Sequence, residues 1–99
     1  MTENQVVYRG VEAAQVLDNP AYVEAMALLK KTVSDQLLDC PIRDKEGMVL
    51  LLQLSKLTVK FEGILVGMVG AGKYAQAKID LDRERNESKA QKFMRRTLG

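Results

Sequence analysis

Asp39-Cys40-Pro41-Ile42-Arg43-Asp44 is the stretch whose reading decides the fold. Before it, Pro20–Asp39 carries Tyr22, Met26, Leu29, Val33 and Leu37, spaced by four, three, four and four. That spacing is one face of an α-helix. After it, Leu50, Leu54, Leu57, Phe61, Ile64 and Met68 are spaced by four, three, four, three and four, close to a heptad seam. Pro41 cannot continue the first helix. Asp44 is a natural N-cap for the second, with Glu46 in a first turn that favours an acid. Two helices at about 20–39 and 45–71, joined by so few residues, must fold back on each other. The sequence therefore predicts an all-α chain built on an antiparallel helical hairpin.

Working outward, Asp18-Asn19-Pro20 is a second punctuation mark. Proline suits the first helical position because its missing N–H would be unpaired there, and Asn19 is a good N-cap. The residue before a proline resists the α conformation, which ends any preceding helix. Gly10–Leu17 reads as a short leading helix with Val11, Ala14, Val16 and Leu17 inward, preceded by a flexible N-terminus over 1–9 in which Val6-Val7-Tyr8 suits a short extended segment. The hairpin domain then covers 10–72. Residues 73–99 form a charged, basic helix or tail whose large apolar residues, Ile79, Leu81, Phe93 and Met94, are too sparse for a continuous stripe.

The second arm carries more apolar surface than the first can cover. Beyond its main stripe it holds Val49, Leu51, Leu52, Val59, Leu65, Val66 and Val69, several on another face. At 1.5 Å per residue it would be about 40 Å long, against roughly 20 residues in the first arm. Short helical hairpins seldom gather enough core to stand alone. The expected consequence is a homo-oligomer formed through Leu50, Leu54, Leu57, Phe61, Ile64 and Met68. Gly63, Gly67 and Gly70 share a helix face, where each costs about 1 kcal/mol relative to alanine. Either Gly63 and Gly67 allow close approach of a neighbouring helix, or the glycines mark fraying toward a C-cap at Gly72.

Composition narrows the chemistry. With no histidine and one cysteine, Cys40, neither a His/Cys zinc site nor Ser-His or Cys-His catalysis can be built within one chain. No cofactor or metal site and no enzymatic activity are expected. Met1–Arg9 is polar and lacks an apolar core, so no signal peptide is expected. Lys56, Lys60 and Glu62 interrupt the run Met48–Met68, which argues against a membrane span.

Three short motifs invite stronger readings. Gly67-Met68-Val69-Gly70-Ala71-Gly72-Lys73-Tyr74 has the glycine and lysine spacing of a phosphate-binding loop, but tyrosine stands where Ser or Thr would hold the metal ion. The preceding segment is also helical in pattern, where such a loop needs a strand. Asp80, Asp82 and Glu84 resemble a metal cluster, yet Lys78, Arg83 and Arg85 beside them favour a solvated charged helix. Cys40 reads as a partly buried structural thiol.

Charge is unevenly placed. Residues 1–72 hold seven Lys/Arg against nine Asp/Glu, and residues 73–99 hold eight against four, so an acidic body carries a basic tail. Lys89, Lys92, Arg95 and Arg96 form one dense basic cluster with no acid after Glu87. Three readings stay open for it: contact with nucleic-acid phosphates, docking on an acidic protein surface, or solubility alone.

Ala13-Ala14-Gln15-Val16-Leu17-Asp18-Asn19-Pro20, then Pro41-Ile42-Arg43-Asp44-Lys45-Glu46-Gly47, then Gly72-Lys73-Tyr74-Ala75 occur in an order that resembles a family of short, mostly uncharacterised helical-hairpin proteins of tailed phages, encoded near virion-structural genes. The match covers roughly 10–75 and rests on motif order and spacing. Two features depart from it. Gly47-Met48-Val49-Leu50 stands where members carry more charge, and the basic extension past Ala75 lies outside the shared pattern. The resemblance implies a phage assembly or accessory role in the host cytoplasm or the virion, with another phage structural protein as a partner. It carries no catalytic residues.

Overall fold

The structure, a computed structural model, describes the backbone of residues 1–98 and the side chains of residues 1–95. The described residues form three α-helices, α1 (Glu3–Asp18), α2 (Pro20–Asp39) and α3 (Lys45–Leu98), and no strand. The chain is all-α, as the apolar periodicity predicts.

Helix α1 starts well before the expected Gly10 and takes in Val6-Val7-Tyr8 and most of the segment read as flexible. Its start is a reciprocal cap. The Gln5 amide donates to Thr2 Oγ1 at 3.2 Å, and the Thr2 amide donates to Gln5 Oε1 at 2.9 Å. Two of the helix's unpaired donors are satisfied together.

Asn19 alone links α1 to α2. Its extended backbone (φ −68°, ψ 122°) is what a following proline imposes. Its side-chain oxygen accepts from the amides of Ala21 at 2.9 Å and Tyr22 at 3.3 Å. At the next junction the Asp44 amide donates to the Pro41 carbonyl at 2.9 Å, and Asp44 Oδ1 accepts from the Gly47 amide at 3.0 Å. Both N-caps are those expected from the sequence.

Helix α3 does not end near Ala71. It runs through Gly70-Ala71-Gly72 and includes the charged segment to Leu98. The reason lies in packing. A β-carbon placed on Gly72 would sit 2.9 Å from the Cα of Gly10, and one placed on Gly10 would sit 2.9 Å from the Cα of Gly72 and 3.0 Å from the Met68 carbonyl oxygen. The two helices touch backbone to backbone, so contact with α1 decides the conformation at Gly72, overriding its local propensity. Ala13 and Ala75 are buried nearby.

The contacts along α3 run in one order. Glu3 meets Lys78, Gly10 meets Gly72, Tyr22 meets Phe61, and Val33 lines a groove with Thr58. As numbers rise along α1 and α2 they fall along α3. The two shorter helices thus form one bent arm lying antiparallel to the long one. Met26 and Val33 are buried and Tyr22 and Leu37 half-buried, so four of the five stripe residues of α2 face inward, while Leu29, expected with them, is 38% exposed. In α1 the inward residues are Gly10 and Ala13. Val11 and Val16, expected inside, are exposed.

The result is a rod of 84 × 26 × 18 Å with a radius of gyration of 23.2 Å. A compact chain of this length would have a radius of about 13 Å. Its accessible surface is 8307 Å², where a folded monomer of 11.1 kDa would expose about 5,700 Å². No helix of the described residues is long and apolar enough to cross a membrane.

Candidate functional site

The candidate site is the side of α3 that the arm leaves uncovered. Along the covered side run Met48, Leu51, Ser55, Thr58, Glu62, Leu65, Val69 and Gly72, all buried or half-buried, in alternating steps of three and four. Half of this seam is large and apolar, Met48, Leu51, Leu65 and Val69, and half is small or polar. Thr58 sits in it by donating its hydroxyl to the Leu54 carbonyl at 2.9 Å, and Glu62 by holding Lys30 Nζ 2.9 Å from both of its carboxylate oxygens.

Leu50, Leu54, Leu57, Phe61, Ile64 and Met68 follow the same heptad steps on another side. From Leu54 to Met68 each precedes a covered residue by one position, which sets the two stripes about 100° apart round the helix. Leu50 and Leu57 are 65% and 62% exposed, Leu54, Phe61 and Ile64 are also exposed, and Met68 is half-buried. The structure therefore gathers these residues into one stripe and covers it at two places. Tyr22 leans over Phe61, with ring centroids 6.5 Å apart and a 44° tilt, and Met68 passes beneath α1 where its carbonyl nears Gly10. The Tyr22 hydroxyl oxygen is buried without a hydrogen-bond partner.

On the opposite flank Leu52, Val59 and Val66 are exposed as well. A helix apolar on several sides is normally enclosed by neighbours. Gly63 and Gly67 face open space, with no atom within 4 Å of an added β-carbon. They lie roughly 100° or more round the helix from the centre of the leucine stripe and flank it.

The other predicted cluster is in the distal part of α3. The arm's last ion pair along the rod joins Glu3 to Lys78 at 2.9 Å. Accepting that hydrogen bond, and attracting the ammonium charge, Glu3 raises the Lys78 pKa above its ordinary 10.5. Past Ile79 every described side chain is exposed, Lys89, Lys92 and Arg95 included. Arg96, assigned to the same cluster, has its side chain outside the described residues. This half of α3 projects as a single charged helix beyond the arm.

The remaining motifs take ordinary roles. Gly67–Tyr74 lies within α3, where backbone amides bond to carbonyls one turn back and are not free to cradle a phosphate. Asp80 accepts from Gln76 Nε2 at 2.9 Å. Among the described residues no three His, Cys, Asp or Glu side chains converge to hold a metal ion. Cys40 is half-buried, its Sγ 3.8 Å from the carbonyls of Pro41 and Asp44.

Sequence reading missed the Gly10–Gly72 crossing and the Glu3–Lys78 pair. One signal pointed to them: Thr2 followed three residues later by Gln5 is a capping-box signature and moves the start of α1 to Glu3. No protein-family model, curated protein or solved structure matches the chain.

Proposed function

We propose that this protein is a non-enzymatic assembly component whose α2–α3 hairpin self-associates through Leu50, Leu54, Leu57, Phe61, Ile64 and Met68. One observation carries the reading: Leu50, Leu54, Leu57, Phe61 and Ile64 stay exposed on one side of α3, while the covered seam already holds Met48, Leu51, Leu65 and Val69 interleaved with small and polar residues. Each chain exposes roughly 2,600 Å² more than a compact monomer would, part of it on the projecting half of α3, while an obligate interface of about 2,000–5,000 Å² in all takes half of that from each partner. The resemblance around Asn19 and Asp44 extends the reading to a tailed-phage virion or its assembly in the host cytoplasm, with a second phage structural protein as partner.

Light scattering tests the reading. The native chain is expected at twice 11.1 kDa or more, and Leu57→Asp with Phe61→Asp is expected to lower that mass to the monomer. A native chain of monomer mass at tens of micromolar, with full helical circular dichroism, contradicts it.

A second reading, a nucleic-acid-binding accessory role, is favoured by the exposure of Lys89, Lys92 and Arg95 on the projecting helix. Binding to duplex DNA would then fall steeply with salt and vanish on truncation after Ser88. Absence of binding at low salt removes it, leaving docking on an acidic protein surface or solubility alone.

A further inference from the structure

We infer that the occupant of the uncovered stripe is a second copy of this chain running antiparallel, with its two-fold axis near Val59. The inference rests on the self-association reading and adds its orientation. Three observations carry it.

The first is the symmetry of the stripe. Its spacing of four, three, four, three and four reads the same in both directions. Turned about position 59, Leu50 meets Met68, Leu54 meets Ile64, and Leu57 meets Phe61. Every layer is apolar on both sides. Each also pairs one alternate seam position with the other, the layering of an antiparallel coiled coil. A parallel pair fills its layers with identical residues instead, so the apolar residues alone permit either direction.

The second observation decides between them. Continued by the same heptad steps, the stripe passes Ala71 and Ala75 and becomes Lys78, Asp82, Arg85, Lys89, Lys92 and Arg96. In a parallel, in-register pair Asp82, Arg85, Lys89 and Lys92, the described members beyond the arm, would each face their own copy across the seam, cation to cation three times and acid to acid once, while Lys78 is already paired with Glu3. Like charges there repel, and charges buried without partners are strongly unfavourable. An antiparallel pair sends the two charged halves in opposite directions. Its matching cost is one like pair, Lys60 beside its copy near the axis.

The third observation is area. Leu50, Leu54, Leu57, Phe61 and Ile64 are each exposed in the single chain, so an α3–α3 contact along them removes apolar surface that the arm leaves in water.

The geometry assigns the assembled unit a shape. The two Lys89–Arg95 clusters lie at opposite ends, about 100 Å apart at 1.5 Å per residue. Such a dimer is a two-ended connector, apolar in the middle and cationic at both tips.

Cross-linking reads the orientation directly. In a Cys40→Ser background, Leu54→Cys and Ile64→Cys chains are mixed and oxidised. In the antiparallel pair these two positions oppose each other, while each lies about 15 Å along the axis from its own copy, beyond the ~7 Å Cα reach of a disulfide. Only the mixed 54–64 disulfide is expected, with both homodisulfides lost. A second variant leaves the stripe untouched: Ser88→Cys, labelled for a distance measurement, is expected to place the two labels about 85–90 Å apart. Homodisulfides together with Ser88 labels within ~20 Å would overturn the orientation and leave self-association standing. A chain that is monomeric in both experiments, and already monomeric before substitution, overturns both.

Discussion

Two sides of α3 carry the same heptad spacing and different chemistry. The covered side offers Ser55, Thr58, Glu62 and Gly72, interleaved with Met48, Leu51, Leu65 and Val69, to the chain's own arm, and the uncovered side offers Leu50, Leu57, Phe61 and Ile64 to the solvent of an isolated monomer. Close approach explains Gly72, because α1 and α3 touch there at Gly10 with no room for a side chain. Large groups would hold the helices apart there. Thr58 and Glu62 face α2, with their polar groups satisfied by the Leu54 carbonyl and Lys30. The side with the greater transfer energy is left for something else. Hydrophobicity alone does not tell which seam a helix uses internally, since backbone distance also selects.

The largest expected effect breaks the covered side from the arm. Met26→Ala removes a buried side chain and is expected to cost about 2–5 kcal/mol, read as a lower urea midpoint with an unchanged slope. Leu28→Ala on the outer face of the same helix, 58% exposed, is expected to stay within about 0.5 kcal/mol. Similar losses at both positions would mean that α2 docks by another face.

Glycine substitutions sharpen the contrast within α3. Alanine gains about 1 kcal/mol over glycine in a helix. At Gly67, where the added carbon meets open space, that gain is expected to appear as a higher melting temperature. At Gly72 the same carbon meets the Gly10 backbone at 2.9 Å, and an overpacking penalty of about 1–3 kcal/mol is expected to outweigh it. The signs should differ. A stabilising Gly72→Ala would mean α1 does not approach α3 as closely as described.

Much of this was legible in the sequence, and unevenly so. Asn19-Pro20 and Asp44 mark helix starts through local chemistry, which the fold leaves intact. The α2 stripe was legible because one face of that helix is buried. The start of α1 was hidden by Val6 and Val7, whose β-branches suit extended chain, and was betrayed only by Thr2 and Gln5. The length of α3 was not legible, because Gly70 and Gly72 weaken a helix by propensity, and here contact with α1 at Gly72 carries it through. The uncovered stripe was readable as a surplus. That its neighbour by 100° would be the internal seam was not, since both have heptad spacing and the internal one is the less apolar.

Two smaller effects bear on how the arm is held. Asn19→Ala removes both cap hydrogen bonds and is expected to cost about 1 kcal/mol, with Asn19→Ser recovering most of it in the same unfolding assay. Smallest is the Lys78–Glu3 pair, exposed on both partners. The Lys78 pKa is raised by Glu3 above 10.5, so its contribution is fully present below that value and is lost as pH climbs through the raised one. Stability of the native chain relative to Lys78→Met should therefore fall only in that alkaline range. A difference appearing instead at neutral pH would assign Lys78 another partner.

The central claim is that the fold described for one chain is completed by another copy of it. Thermal unfolding followed across a hundredfold range of protein concentration tests this directly, because association stabilises by mass action. The expected result is a melting temperature that rises steadily with concentration, and that stops doing so in the Leu57→Asp, Phe61→Asp variant. A native chain that melts cooperatively at one temperature throughout that range, with the mass of a monomer, would contradict the account.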